Sequence, residues 1–316
     1  MAASGYSLDD MVDAATRNEG RLKQITYFDM LRLNKAFPRY YWKGLKKNHL
    51  DFRNVEDIIR NFFRFESPLS TDGIEEYMRN AMTANDFKSL DADLFIIATR
   101  LNPIPGTYKD VFCKKDFHNA EFEAQYRSDV KISDAVAASC AVPGILAPRT
   151  VRTNSHSIDF IDGETRKTLS THVARDAGAD LIFVSHTYVP YTFKEEIGSL
   201  KKYGMYTVAT QAVYILVSQK IENAKLIYGA KRDAVNSVKR FIKESKMPKN
   251  MARKLMKGLL KDLRYNPDLV QITTCPSDPE FFMKPHFSPD KDCAKRIIEH
   301  GYEQGLKDLS GYRFEL

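Results

Sequence analysis

Asp162, followed by Gly163 at the end of the alternating stretch Ser157–Asp162, is the residue of this chain best placed for acid–base chemistry. A carboxylate at a strand end, where a glycine allows an abrupt turn, can orient or deprotonate a hydroxyl. The same residue can instead be a turn former whose oxygen accepts backbone N–H groups. Upstream, Ser133-Asp134-Ala135-Val136-Ala137-Ala138-Ser139-Cys140-Ala141-Val142-Pro143 is a small-residue helix running into a proline-marked turn. The two stretches together have the layout of a carboxylate site in an α/β hydrolytic fold.

Such a base needs a hydroxyl beside it, and acyl transfer also needs donors aimed at the tetrahedral oxyanion. No Gly-x-Ser-x-Gly elbow occurs in the sequence. Gly5-Tyr6-Ser7-Leu8-Asp9 lacks the second glycine and follows no strand, so Ser7 reads as a helix N-cap and Ser4 as a flexible terminal residue. His156, His172 and His186 have no elbow serine to serve and read as structural, with His172 packing or capping within a helix. Cys113, Cys140, Cys275 and Cys293 are widely spread, as expected of reduced cytoplasmic thiols. No ligand spacing and no Gly-rich phosphate loop calls for a metal, a nicotinamide or any other cofactor.

Apolar periodicity and punctuation then give the elements that must position Asp162. Helices are expected over Ser7–Asn18, Val55–Phe63, Gly73–Ala81, Lys131–Ser139, Thr168–Ala177, Tyr206–Ala224, Asp233–Ser245, Asn250–Arg264 and Lys291–Leu309. Ile25–Leu33 has an apolar pattern, and Phe37–Trp42 is an aromatic cluster suited to a packing plug or a substrate mouth. Leu94–Thr99 and Asp180–Ser185 are continuously apolar and read as buried strands. Tyr108–Cys113, Ser157–Asp162 and Asp268–Thr273 read as further strands. Asn102–Gly106 reads as a turn, and Pro276, Pro279, Pro285 and Pro289 mark a long loop. The order strand, helix, strand from Ser157 to Ser185 predicts a βαβ unit and a largely parallel sheet.

At 316 residues and 43% hydrophobic, the chain can fill a substantial core. It has no apolar run long enough to span a membrane and no secretory pattern after Met1. Charge is unevenly spread. Lys231–Arg264 holds 12 basic and three acidic residues, a balance of +9 against +7 for the whole chain, so the remainder carries −2.

Phe87–Asn102 (FKSLDADLFIIATRLN), Lys131–Pro148 (KISDAVAASCAVPGILAP) and Phe160–Val184 (FIDGETRKTLSTHVARDAGADLIFV) resemble the patatin-like phospholipase family, serine acyl hydrolases that use a Ser–Asp dyad. The family's Asp-Gly-Gly or Asp-Gly-Ala motif matches Asp162-Gly163-Glu164, with Glu164 departing at the third position. The resemblance runs from about residue 1 to 309, more weakly through the basic segment. It implies a three-layer α/β fold with a mostly parallel central sheet, incomplete at its N-terminal side, with Asp162 as the dyad base and acyl lipids or esters as substrates. Family members carry a Gly-rich oxyanion loop and a nucleophile elbow near the start, and Ala2–Met11 resembles the segment that follows that elbow. The resemblance thus implies a missing N-terminal segment, in the same or another polypeptide, that supplies the serine. This chain alone is then expected to be inactive.

The expected organisation is residues 1–230 as the downstream part of the α/β domain, 231–266 as a basic helical insert, and 267–316 as the completion of the domain. Val235, Val238, Phe241 and Ile242 form one apolar stripe of the insert; Met251, Leu255, Leu259 and Leu263 form another. Lys239, Arg240, Lys243, Lys254 and Lys257 beside them suit an anionic membrane surface, which would make the protein cytoplasmic and peripheral. The same stripes can equally pack on the domain and leave the charges solvated. No nucleic-acid module accompanies the basic residues, so no specific nucleic acid is expected. A lipid acyl hydrolase leads, and a non-catalytic lipid- or protein-binding derivative of the same fold is the alternative.

Overall fold

The computed structural model describes residues 1–24, 32–33, 67, 69–115, 124–143, 145–154, 156–166, 168–276, 281–283 and 290–312. The Phe37–Trp42 cluster, the Val55–Phe63 helix, most of the Ile25–Leu33 pattern and most of the proline-marked loop lie outside them. The chain divides into two compact units, Met1–Asp176 with Pro285–Glu299, and Ala177–Lys284 with His300–Leu316.

In the first unit, α1 spans Leu8–Thr16. Ser7 closes its N-terminus with a reciprocal pair: Asp10 N–H donates to Ser7 Oγ at 3.1 Å, and Ser7 N–H donates to Asp10 Oδ2 at 2.9 Å. Such a cap is worth about 1 kcal/mol. A short strand β1, Arg32–Leu33, pairs with β2, Leu69–Ser70, and α2 follows over Asp72–Ala81. The main sheet is then built from β3 (Ile96–Ile104), β4 (Thr107–Phe112), β5 (Ala124–Arg127), β6 (Arg149–Arg152) and β7 (Ser157–Asp162) in the order β5-β4-β3-β7-β6. Two helices punctuate it, α3 at Ile132–Ser139 and α4 at Thr171–Asp176.

The α/β class matches expectation, and the strand directions are mixed. β4·β5 is parallel, whereas β3·β4, β3·β7 and β6·β7 are antiparallel. The turn expected over 102–106 is shorter than that: Asn102–Ile104 still belong to β3, Ile104 pairs with Thr107, and the reversal at Pro105–Gly106 explains the first of these. Gly106 has φ +79, and the tight connection can only reverse the chain. Pro103 lends no N–H to the ladder, and the pairing slips between Thr99 and Ile104, as a bulge does.

Alternation along the strands gives the sheet two apolar faces. Ala98, Phe112, Ile158 and Phe160 pack with Ile132, Ala135 and Ala138 of α3 on one side. Val111, Cys113 and Tyr126 pack with Val173 of α4 on the other. Phe112 and Phe160 meet edge to face at 5.5 Å, joining β4 and β7 across the strand between them. Alanines at the α3 contact let the helix backbone approach the sheet closely.

The second unit contains β8 (Leu181–Ser185), α5 (Met205–Glu244), α6 (Lys249–Asp262) and β9 (Val270–Thr274). A closing helix α7, Lys291–Leu309, contributes its residues up to Glu299 to the first unit and those from His300 to the second. β8 and β9 form their own two-stranded parallel sheet. The βαβ unit expected from β7 through α4 to β8 is therefore not formed within one sheet. β7 already has β3 and β6 on its two sides, so it offers β8 no free edge. Nor is β8 buried on both faces: Ile182 and Val184 are buried while Leu181 and Phe183 are exposed.

The two helices expected over 206–224 and 233–245 are one 40-residue helix, α5, about 60 Å long. Gly229 costs such a helix about 1 kcal/mol relative to alanine, too little to end it. Ile221, Tyr228 and Val235, seven residues apart, stay on one packed face and carry the helix through the expected break. No helix among the described residues is long and apolar enough to cross a membrane.

Candidate active site

Asp162 is the last residue of β7 and lies opposite Ala98 of β3. Its backbone N–H donates to the carbonyl of Ala141 at 2.9 Å, in the turn that follows α3. Its Oδ1 accepts the N–H of Glu164 at 2.7 Å and so caps the 3-10 turn Gly163–Thr165. Among the described residues no other group donates to this carboxylate. One oxygen is thus held in place, and the other stays available.

The role of Gly163 differs from the abrupt turn expected. Its φ is not in the left-handed region. A side chain here would instead collide with the carbonyl oxygen of Ile97 on β3. Glycine is required by close backbone approach, and Thr99 Oγ1 adds a 3.4 Å bond to the Gly163 carbonyl.

Burial pushes the Asp162 carboxyl above its ordinary value, and the Glu164 N–H pulls in the opposite direction. Cys140, at the C-terminal end of α3, is pushed up to about 11, first by burial and then by the charge of Asp162. It is a protonated thiol at neutral pH and no substitute for an activated nucleophile.

The serines and histidines weighed from sequence take other places. Ser7 is committed to its cap. Ser4 is not a flexible terminal residue: it is buried in the 3-10 turn Ala2–Ser4, with no hydrogen-bond partner for its hydroxyl among the described residues. His156 lies in a turn closed by Thr153. His172 is buried on α4, its Nε2 2.8 Å from the Nζ of buried Lys109. His186, in the second unit, is lowered by burial and by the charge of Lys225.

Within the small-residue motif, Ser133 and Asp134 are fasteners. Ser133 Oγ donates to Glu75 of α2 at 2.9 Å and accepts from Asn85 Nδ2 at 2.8 Å. Asp134 and Asp72 grip Arg149 of β6. These bonds fix α3, and with it the turn that bonds to Asp162.

Lys239, Arg240 and Lys243 on α5 and Lys254 and Lys257 on α6 are all exposed and belong to the second unit, whereas Asp162 belongs to the first. The stripes beside them are divided. Val235 is buried and Val238, Ile242, Leu259 and Leu263 are half-buried, while Phe241, Met251 and Leu255 are exposed.

Sequence reasoning missed a buried ionic group on the main sheet. Asp110 accepts Arg100 Nε on Oδ1 and Arg127 Nε on Oδ2, each at 2.6 Å, and Gln125 Oε1 accepts from both guanidinium groups. Asp110 stands in the expected strand Tyr108–Cys113, whereas Arg100 falls between the expected strand Leu94–Thr99 and the turn 102–106, so neither read as more than an ordinary polar position. Only the pairing of β3, β4 and β5 brings them together.

A family model described as Patatin-like phospholipase matches residues 8–175, more than half of the chain and including Asp162. No curated protein matches.

Proposed function

This chain belongs to the patatin-like phospholipase family, a family of lipid acyl hydrolases, and we propose that Asp162 is the base of a Ser–Asp dyad acting on phospholipid or other carboxylic acyl esters. The observation that carries this reading is the state of Asp162: half-buried at a strand end, one oxygen anchored by Glu164, the other without a donor among the described residues, and its acidity weakened by burial. A carboxylate raised from its ordinary value is a better proton acceptor near neutrality.

The hydroxyl comes from a serine elbow that these 316 residues lack, in a missing segment of the same or another polypeptide. Its Oγ attacks the ester carbonyl while its proton passes to Asp162. That proton leaves with the alcohol or lysolipid, and water, deprotonated by the same carboxylate, then releases the fatty acid from the serine. The reading is tested by hydrolysis of short-chain nitrophenyl esters with the native polypeptide bearing that serine. Asp162→Asn is expected to lower turnover about a thousandfold. Unchanged turnover in that variant rejects the assignment.

A second reading is favoured by one observation, the absence of an elbow together with the capping role of Ser7: a non-catalytic lipid- or partner-binding derivative of the fold. Ester turnover by the native polypeptide rejects it. For either reading Lys239, Arg240, Lys243, Lys254 and Lys257 suit a peripheral position at an anionic surface. Neutralising Lys239, Arg240 and Lys243 is expected to weaken vesicle binding, and equal binding to anionic and neutral vesicles would contradict that role.

A further inference from the structure

From Lys202 to Lys220 the chain carries no charged residue for seventeen positions, and from Ile197 to Ile221 it carries no carboxylate. Most of this run is the first half of α5. The run is uncharged rather than apolar all round, since Thr207, Thr210, Gln211, Ser218 and Gln219 stand among its hydrophobic residues, so each side must be read separately. Here one side is packed. Gln211 exchanges two 2.9 Å hydrogen bonds with the backbone of Tyr191, Tyr214 meets Tyr188 and Phe282 edge to face, and Val217 and Ile221 are buried.

The opposite side faces outward. Met205 is 86% exposed, Leu216 58% and Val213 52%, with Val208 and Ile215 close behind. Single exposed hydrophobics are ordinary, whereas a contiguous helical face of them marks a contact. Lys201 and Lys202 stand at its N-terminal end with no carboxylate partner among the described residues, Lys202 Nζ lies 5.2 Å from the centre of the Tyr203 ring, and Tyr203 is 43% exposed. Lys220 stands at the other end.

We propose that this face of α5 lies on an anionic lipid surface, with Met205, Val208, Val213 and Leu216 among the acyl chains. Tyr203 then sits at headgroup level, and Lys201 and Lys202 meet lipid phosphates. The inference rests on the acyl-lipid reading and deepens it: it names the element that meets the lipid aggregate, one distinct from the basic residues further along α5 and on α6. The α-helical part of the run, Met205 to Gln219, is about 23 Å long, which suits a helix lying in the interface and falls short of a span. A second copy of the chain would bring the same cations and, within this stretch, no carboxylate to meet them. Charge complementarity therefore favours lipid.

The test is co-sedimentation of the full chain with phosphatidylcholine vesicles, with and without phosphatidylglycerol. Val208→Asp/Leu216→Asp places charge only on exposed positions, and an unchanged thermal melt will show that the fold survives. This variant is expected to lose binding about tenfold or more. Lys201→Glu/Lys202→Glu is expected to reduce the preference for anionic vesicles severalfold, and high salt to abolish it. Native-like binding by both variants overturns the proposal. So does a native dimer that Val208→Asp/Leu216→Asp converts to monomer without vesicle binding, which would assign the face to a second copy. Retention on single-stranded nucleic acid with no vesicle binding also overturns it. Asp162→Asn separates this inference from the hydrolase reading. Vesicle binding that depends on α5 but accompanies no ester turnover upholds the lipid face alone. Ester turnover without vesicle binding rejects the lipid face alone.

Discussion

The bond from Asp162 N–H to the Ala141 carbonyl, 2.9 Å long, fastens the end of β7 to the turn that closes α3. It makes the candidate base depend on how α3 is seated. α3 in turn is held by Ser133 on Glu75 and Asn85, and by Asp134 on Arg149. The conspicuous small-residue motif thus acts on Asp162 through the backbone, while its polar side chains serve as anchors.

Asp162 should be a stability liability at neutral pH. A carboxyl whose folded pKa is raised above its unfolded value favours folding while protonated, and that contribution is lost as pH rises through the folded pKa. Asp162→Asn keeps an oxygen for the Glu164 N–H and carries no charge. Its melting temperature is expected to exceed the native value at pH 7, with the gain vanishing below about pH 3, where the native carboxyl is itself protonated. Melts that coincide at neutral pH would show that burial of this charge costs nothing.

Cys140 should be nearly inert. With its thiol pushed up to about 11, the thiolate fraction at pH 8 is about a thousandth. Alkylation by iodoacetamide, followed residue by residue by peptide mass mapping, is expected to be over 100-fold slower than for a free thiol, by that same thiolate argument. In Asp162→Asn the rate should rise, because the carboxylate charge is one of the two causes of the shift. Equal rates in the two proteins would mean that the groups do not sense each other.

Gly163→Ala should be costly although the backbone dihedral tolerates alanine. Its methyl would run into the Ile97 carbonyl on β3, so β7 must move away from its neighbour. A loss of about 2–3 kcal/mol is expected by denaturant titration, in the upper range for overpacked sites. Ester turnover should fall with it, since Asp162 moves too. A variant as stable as the native chain would place the strands farther apart.

The Arg100–Asp110–Arg127 group should show the asymmetry of buried ion pairs. Asp110→Ala leaves two guanidinium groups buried without their acceptor and is expected to cost about 3–5 kcal/mol. Replacing all three residues by apolar ones of similar volume should recover most of that loss. If Asp110→Ala costs under about 1 kcal/mol, water has replaced the carboxylate.

Local chemistry was legible in the sequence wherever the cause is local. The Ser7 cap, α2, α3, the reversal after β3, β9 and the bounds of α7 follow from side chains within a turn or two of one another. The Asp-Gly at a strand end also gave the candidate base. The tertiary structure decided what depends on partners distant in sequence: that β7 is enclosed by β3 and β6 and leaves β8 to another sheet, and that α5 continues through Gly229 because its packed face continues. It also decided that Gly163 is needed for space beside Ile97, and that Arg100, Asp110 and Arg127 share one buried site. A residue's conformational preferences act over a few neighbours, whereas enclosure, collision and charge pairing are set by whichever strands and helices happen to stand alongside, and no short window of sequence contains them.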